Sequence, residues 1–264
     1  MMNDKRIRKI VDYINAKDCF PQNSVSGGVN YFLWDRDHEG ECEFTTNLGG
    51  KTTTMVRSLN EFDSFVRYNE AVEIIHKIVS KCKTDNLGFL SAEVTSRNPF
   101  GLPTSTRGAE TQSPDDVLMV SSKGRSYVPR SSVEKGFELI DAYKVLISRI
   151  TYEHAGEPDK EGKLRVLSKI EVLKPGEVCT DSYLICGKFS TEQEADNLAA
   201  YLKTKFARLL VSQTLSSINL NKDKFCFVPC VDFATPISEE KLYSQFALSD
   251  ENVAFINSLI HSME

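Results

Sequence analysis

The order of strand-like and helix-like segments is the feature that most limits the fold of this 264-residue chain. An amphipathic helix is clear at residues 69–83, where apolar side chains recur at helical spacing. Strand-like runs lie on both sides of it, without the regular strand-helix alternation of a doubly wound sheet. No internal repeat is visible, which excludes a solenoid. The pattern therefore predicts an α+β fold.

Local patterns predict the remaining elements. Helices are expected at residues 5–15, 134–143, 191–210, 238–247 and 249–262, and strands at 29–35, 42–46, 116–122, 144–148, 164–173 and 178–189. The strands at 29–35 and 42–46 are predicted to pair as a hairpin against which Trp34 packs. Thr191 and Glu194 have the spacing of a capping box, which predicts that a helix begins there.

The charge distribution leaves nucleic-acid binding open although the net charge is −5. Such binding depends on Lys and Arg that neutralise phosphates, so an acidic total argues against it. Residues 118–150 and 201–224, however, carry an excess of basic side chains, whereas residues 232–264 are acidic. A basic face beside an acidic C-terminal stretch is consistent with this pattern, as are solvated helix faces with incidental charge.

Several classes of protein are not supported by the sequence. The glycine-rich motifs of nucleotide-binding proteins, the serine hydrolase motif and the zinc-peptidase motif do not occur. Because these motifs are absent, we predict no catalytic residue. No spacing of cysteines and histidines completes a zinc site, so we predict no metal site either. No apolar run reaches the length of a membrane span, and the N-terminus lacks the apolar core of a secretory signal. The expectation is a cytoplasmic protein without a membrane partner.

One acidic pattern keeps an enzymatic alternative open. Asp115 follows a proline, and Glu161 and Lys163 lie in a later charged turn. Two carboxylates and a lysine can hold Mg²⁺ and position water in a nuclease. The alternative prediction is therefore a magnesium-dependent restriction endonuclease.

The run CFPQNSVSGGVNYFLWD at residues 19–35 resembles the last conserved block of the catalytic domain in adenine-specific DNA methyltransferases of bacterial type II restriction-modification systems. Other blocks resemble the C-terminal target-recognition region of that family: VTSRNPFG (94–101), YKVLISR (143–149), GEVCTDSYLI (176–185), NLAAYLKTKFARLLV (197–211), FVPCVDF (227–233) and EEKLYSQFALSDENVAFI (239–256). Together these blocks span nearly the whole chain.

The resemblance implies two regions. Residues 1–62 would be the end of a catalytic domain, with a small β-hairpin remnant of the methyltransferase sheet, and residues 63–264 a mixed α/β DNA target-recognition domain. The family's glycine motif and its catalytic Pro-Pro motif are expected upstream of residue 1. S-adenosylmethionine is therefore expected in a catalytic domain outside this chain. Without that domain the chain is expected to be inactive. Phe20 corresponds to the aromatic residue that stacks on the flipped adenine.

The implied partners are double-stranded DNA and a separate methyltransferase catalytic chain. Arg97, between Ser96 and Asn98, is the best candidate for reading bases, because Arg pairs bidentately with guanine and Asn with adenine. The other candidate DNA-binding residues are Lys144, Ser148, Arg149, Lys205, Arg208, Lys222 and Lys224. A third alternative is a non-catalytic scaffold that binds protein through an apolar surface at residues 29–46.

Overall fold

The structure, a computed structural model, describes residues 1–22, 25, 27–153 and 156–263. Within them the strands are β1 (Ile7–Tyr13), β2 (Val29–Trp34), β3 (Cys42–Leu48), β4 (Lys51–Arg57), β5 (Asp116–Ser121), β6 (Gly124–Pro129), β7 (Tyr143–Ser148), β8 (Ile170–Leu173), β9 (Glu177–Cys179) and β10 (Tyr183–Phe189). The α-helices are α1 (Asn69–Asp85), α2 (Phe137–Ile140), α3 (Glu192–Lys203), α4 (Lys205–Ser212), α5 (Glu239–Gln245) and α6 (Asp250–Leu259). This mixture confirms the predicted α+β fold.

The N-terminal region forms a four-stranded sheet in the order β2-β1-β3-β4. Strand β1 is antiparallel to β2 and parallel to β3. The predicted helix at residues 5–15 is therefore wrong. Ile7, Ile10 and Val11 are spaced as on a helix, but hydrogen bonding to strands on both sides holds this segment extended.

The predicted hairpin at residues 29–46 is also wrong, because β1 lies between β2 and β3. Strand β3 instead forms a hairpin with β4 through Gly49 and Gly50, which both have the positive φ that this tight turn requires. Trp34 does not pack on a hairpin. Its ring lies 4.9 Å from the guanidinium carbon of Arg6, and 44% of the residue is exposed.

Hydrogen bonds span the predicted domain boundary between residues 62 and 63. The Arg67 guanidinium donates to the Asp12 carboxylate at 2.6 Å. Asn69 donates through Nδ2 to the backbone oxygens of Phe44 at 3.0 Å and Thr53 at 3.1 Å. The start of α1 is thus bound to β3 and β4. The division into residues 1–62 and 63–264 stays a prediction.

The sheet β10-β7-β8 is buried on both faces. Alternate residues of β7 point to opposite sides, as expected for a strand. Val145 and Ile147 pack into a core formed mainly by the helices, whereas Leu146 packs into a second core with the sheet β6-β5-β9. The central sheet therefore joins two hydrophobic cores.

The long helices follow the predicted patterns. The apolar stripe of α1 is buried, and the capping box of Thr191 and Glu194 begins α3. Thr204 has extended backbone and separates α3 from α4, so the single helix predicted at 191–210 is two helices. None of the described helices is both long and apolar enough to cross a membrane.

The other predicted elements are present but differ in extent. Helices α5 and α6 match the predicted closing pair, and β5 and β7 match their predicted strands. The helix predicted at 134–143 is reduced to α2, and the strand predicted at 164–173 to β8. The segment 178–189 is divided between β9 and β10 by a turn, at which Tyr183 donates its backbone N–H to Thr180.

Candidate nucleic-acid interface

Two predicted DNA-binding arginines meet on one carboxylate. Arg97 donates from Nε and Nη2 to Oδ2 of Asp181 at 2.9 and 2.7 Å, and Nη1 of Arg149 lies 3.0 Å from Oδ1. Asp181 is buried, yet the side chain of Arg97 remains 72% exposed. The hydrogen bond from Arg97, followed by the charge of Arg149, lowers the pKa of Asp181. The carboxylate thus stays ionised and orients an exposed guanidinium.

The neighbours of Arg97 are held in defined positions. Ser96 is exposed, whereas Asn98 is half-buried and has a φ of 57°. Oδ1 of Asn98 is buried and has no hydrogen-bond partner among the described residues. Lys135 donates from Nζ to the backbone oxygen of Arg97 at 3.4 Å. Ser96 and Arg97 are therefore the polar side chains that this segment presents to solvent.

Arg149 lies on a continuation of β7 that is paired on both sides. The backbone N–H of Ser148 donates to Lys169 O at 3.0 Å, and Leu220 donates to Arg149 O at 2.7 Å. Nη1 of Arg149 also donates to the backbone oxygen of Asp181 at 2.6 Å. Oγ of Ser148 donates to the backbone oxygen of Ile150 and accepts from its backbone N–H, so the hydroxyl is used within this turn. Arg149 is thus a rigid support for the exposed Arg97.

An exposed cation–π pair involves Tyr152, which lies further along the same continuation. The guanidinium of Arg165 stacks on the Tyr152 ring at 4.5 Å and donates to its hydroxyl at 3.0 Å. Tyr152 N–H donates to Val166 O, which fixes the two segments side by side. Sequence reasoning missed this pair and also Asp181. The partners in these contacts are far apart in sequence, so no local sequence pattern indicates that they meet.

The structure contradicts the prediction that Lys144 contacts DNA. Lys144 is fully buried, and its Nζ donates to three backbone oxygens, those of Ile140, Ala142 and Lys174, at 2.9–3.1 Å. All three N–H groups of the ammonium are therefore used inside the protein. Burial lowers the pKa of Lys144 to about 8. Lys144 is a structural residue that joins α2 to β7 and the turn after β8.

Arg208 is likewise a structural residue and cannot reach a phosphate. It is 1% exposed and donates to the backbone oxygens of four residues: Lys203, Thr204, Arg165 and His261. Lys205 differs from Arg208, because Nζ of Lys205 donates to Oδ1 of Asn257 at 2.6 Å near the surface. The predicted phosphate-binding face of α4 is therefore wrong for Arg208. For Lys205 the role stays a prediction.

The remaining cations lie after α4. Lys222 is exposed on a one-turn helix at Lys222–Phe225. Lys224 is half-buried and donates from Nζ to Thr214 O at 2.6 Å and to Ser216 Oγ at 3.3 Å. Phosphate binding by these lysines stays a prediction.

Phe20 is 48% exposed and follows a short helical turn at Ala16–Asp18. Ser26, from the block that resembles a methyltransferase, lies outside the described residues, whereas Gly28 is described. A Cβ at Gly28 would lie 2.3 Å from Tyr13 O, and its φ is 77°, so this position requires glycine. The predicted role of Phe20 in stacking on a base stays a prediction.

The residues of the nuclease alternative do not form a recognisable metal centre. Asp115 lies in the turn before β5, whereas the loop with Glu161 and Lys163 is organised by Asp159, which accepts both of their backbone N–H groups. No group of three or more His, Cys, Asp or Glu in the described part of the chain is arranged to hold a metal ion. Nothing in this geometry supports Mg²⁺ binding by Asp115 and Glu161.

No family model matches the chain. A protein of Mycoplasma pneumoniae (strain ATCC 29342 / M129 / Subtype 1) named "Uncharacterized adenine-specific methylase" is 31% identical over 75 residues, which are 27% of this chain and 18% of that protein. The match thus spans less than a fifth of the relative. The type IIG restriction endonuclease BpuSI aligns with 93% of this chain and 39% of its own chain, at 10% identity and a TM-score of 0.38.

Proposed function

We propose that this chain recognises double-stranded DNA as the target-recognition part of an adenine-specific DNA methyltransferase in a restriction-modification system. The observation that carries the proposal is the exposed Arg97 guanidinium held by Asp181 and backed by Arg149. The partial match to a protein named as an adenine-specific methylase supports a connection with DNA methylation.

Each residue of this cluster has a distinct role in the proposal. Arg97 reads a base edge, because a planar guanidinium fits the two acceptors of guanine. Asp181 limits the rotation of Arg97, which lowers the entropy lost on binding. The exposed Ser96 offers a hydroxyl to the DNA, whereas the buried Oδ1 of Asn98 cannot take part in a bidentate contact with adenine. Outside this cluster, Lys205 and Lys222 contribute phosphate contacts, which fix the register of the protein on DNA.

Arg97→Glu is expected to weaken duplex binding about 10- to 100-fold and to reduce the slope of log affinity against log salt. Fluorescence anisotropy with a labelled duplex library at several salt concentrations measures both quantities. Arg36→Glu is the matched control, since Arg36 is also highly exposed and its ion pair is with the neighbouring Asp37. Equal losses for the two variants, or unchanged binding by Arg97→Glu, would remove Arg97 from the interface.

We further propose that methyl transfer requires a separate catalytic domain, which holds S-adenosylmethionine. The observation that favours such a partner is the edge strand β2. Within the described part of the chain it pairs with β1 alone, and the exposed fractions of four of its residues are 44–58%: Tyr31, Phe32, Leu33 and Trp34. An edge strand with apolar residues on both faces is a site for strand addition. The catalytic domain would therefore extend this sheet at β2.

Trp34 is the only tryptophan in the chain and reports directly on this edge. On binding of a polypeptide that carries the glycine and Pro-Pro motifs, its emission is expected to shift to shorter wavelength and to lose quenching by iodide. Phe32→Lys should abolish the shift. Val56→Lys, on the opposite edge strand β4 where Val56 is 62% exposed, should retain it. If Trp34 stays accessible in a stable complex, β2 is not the docking site.

A further inference from the structure

A polar cleft of about 530 Å³ lies between the start of α1 and the end of α4. Its volume is in the range of sites for small molecules. It adjoins a second, more apolar pocket of about 340 Å³, with which it shares Gly27, Phe65 and Arg67. The residues of the polar cleft used below are Phe65, Arg67, Tyr68, Gln213 and Lys224.

Two buried side chains that line the cleft have unused hydrogen-bonding atoms. Gln213 is 3% exposed and donates from Nε2 to Ser212 Oγ at 3.0 Å, but its Oε1 has no partner among the described residues. Tyr68 is 4% exposed, and its hydroxyl also has no hydrogen-bond partner among the described residues. Buried polar atoms without partners are costly and rare in native proteins. The pair therefore indicates a ligand with complementary polar groups.

The end of α4 and Lys224 favour different groups of a ligand in this cleft. Gln213 is at the C-terminal end of α4, where the helix dipole and the last carbonyl oxygens favour groups that donate hydrogen bonds. Lys224 bonds to Thr214 O and Ser216 Oγ, which leaves one of its three N–H groups for a ligand. Arg67 is already paired with Asp12. The cleft thus suits a molecule that carries both a hydrogen-bond donor and an anionic group.

The aromatic side chains complete this arrangement. Phe65 is half-buried and lines both pockets, so its ring provides an apolar surface at their junction. Burial raises the pKa of Tyr68, which keeps its hydroxyl protonated and able to donate. A planar heterocycle with ring nitrogens would use both the ring surface and this hydroxyl.

We propose that the cleft binds a nucleotide whose base carries an exocyclic amino group. The amino group donates to Oε1 of Gln213, the base lies on Phe65, and the phosphate binds Lys224. The nucleotide is either free in solution or a residue extruded from a nucleic acid. This proposal does not depend on DNA recognition by Arg97, because the residues of the cleft are not those of the Arg97 cluster.

Isothermal titration of the full chain with AMP and IMP tests the proposal, because these nucleotides differ in the group at one ring position. IMP has an oxygen where AMP has the amino group, so it opposes an acceptor to Oε1 of Gln213. AMP is expected to bind at least about tenfold more tightly than IMP, the equivalent of one hydrogen bond or more. Equal affinities, or no saturable binding of AMP up to about 5 mM, would overturn the proposal.

Variants test the two polar contacts separately. Gln213→Leu is expected to remove the preference for AMP over IMP, and Lys224→Met to weaken AMP but not adenosine. Lys222→Met is the matched control, since Lys222 is exposed on the same helical turn and does not line the cleft. If Gln213→Leu does not fold, the Lys224 variant and the wild-type comparison still decide. Adenosine and AMP weakened equally by Lys224→Met would overturn the assignment of the phosphate.

Competition experiments distinguish the two sources of the nucleotide. Displacement of AMP by a duplex with one unpaired adenine, but not by the fully paired duplex, identifies an extruded residue. AMP that neither duplex displaces identifies a free nucleotide. Arg97→Glu is expected to leave AMP binding unchanged, so loss of duplex binding in that variant tests the proposed function separately.

Discussion

Arg208→Ala is expected to lower the free energy of unfolding by about 3–5 kcal/mol. Arg208 is almost completely buried, and its guanidinium satisfies four backbone oxygens, including that of His261 near the C-terminus. Alanine would leave those oxygens without their donor and open a cavity beside α4. The measurement is urea-induced unfolding followed by circular dichroism. Thermal unfolding should shift by roughly 10 °C, given the size of the protein.

Lys205→Ala is the matched control for this experiment. Lys205 is on the same helix, and its ammonium bonds to Asn257 at the surface, so a change of less than about 1 kcal/mol is expected. Arg208→Lys should be intermediate, because an ammonium cannot reproduce the fork of the guanidinium. A stable Arg208→Ala protein that has lost only DNA affinity would restore the original interpretation of Arg208 as a phosphate ligand.

The contribution of Lys144 to stability is expected to increase by about 3 kcal/mol between pH 8 and pH 10.5. Burial lowers its pKa in the folded protein to about 8, from an ordinary value of 10.5. Between these values the unfolded chain binds more protons than the folded protein, so this group makes stability rise with pH. One pKa unit corresponds to about 1.4 kcal/mol, which sets the size of the gain.

Urea unfolding of wild type and Lys144→Met at several pH values measures this contribution. The difference in unfolding free energy between the two proteins should grow in favour of wild type as the pH rises through the window. Other titrating groups cancel in that difference. Lys123→Met, which removes an exposed lysine, should instead follow wild type. Parallel profiles for wild type and Lys144→Met would show that the Lys144 pKa is not lowered by folding.

Elements with strong local signals could be predicted from the sequence. Helix α1 has an apolar stripe over about three turns, and the capping box of α3 is formed by residues three positions apart. Both signals depend on near neighbours in the chain, which the sequence displays directly. The helix predicted in place of β1 was wrong because this segment is held extended by pairing with β2 and β3, which come later in the sequence.

The candidate site was predictable only in part, and for the same reason. Arg97 and Arg149 were selected as separate candidates, and Asp181, which brings them together, is remote from Arg97 in sequence. Lys144 and Arg208 look like ordinary surface cations until their carbonyl partners are known. Whether a cation faces solvent or the interior is decided by backbone oxygens, which every residue has, so composition carries no sign of it.

The hydrogen bonds from Asn69 to Phe44 and Thr53 affect which substitutions the sequence can accumulate during evolution. Both acceptors are main-chain oxygens, which persist whatever side chain each strand position carries. Substitutions along β3 and β4 can therefore accumulate without disturbing the attachment of the sheet to α1, provided that Asn69 is retained. Among distant homologues, we expect an invariant asparagine at this point beside strands whose sequences have drifted widely.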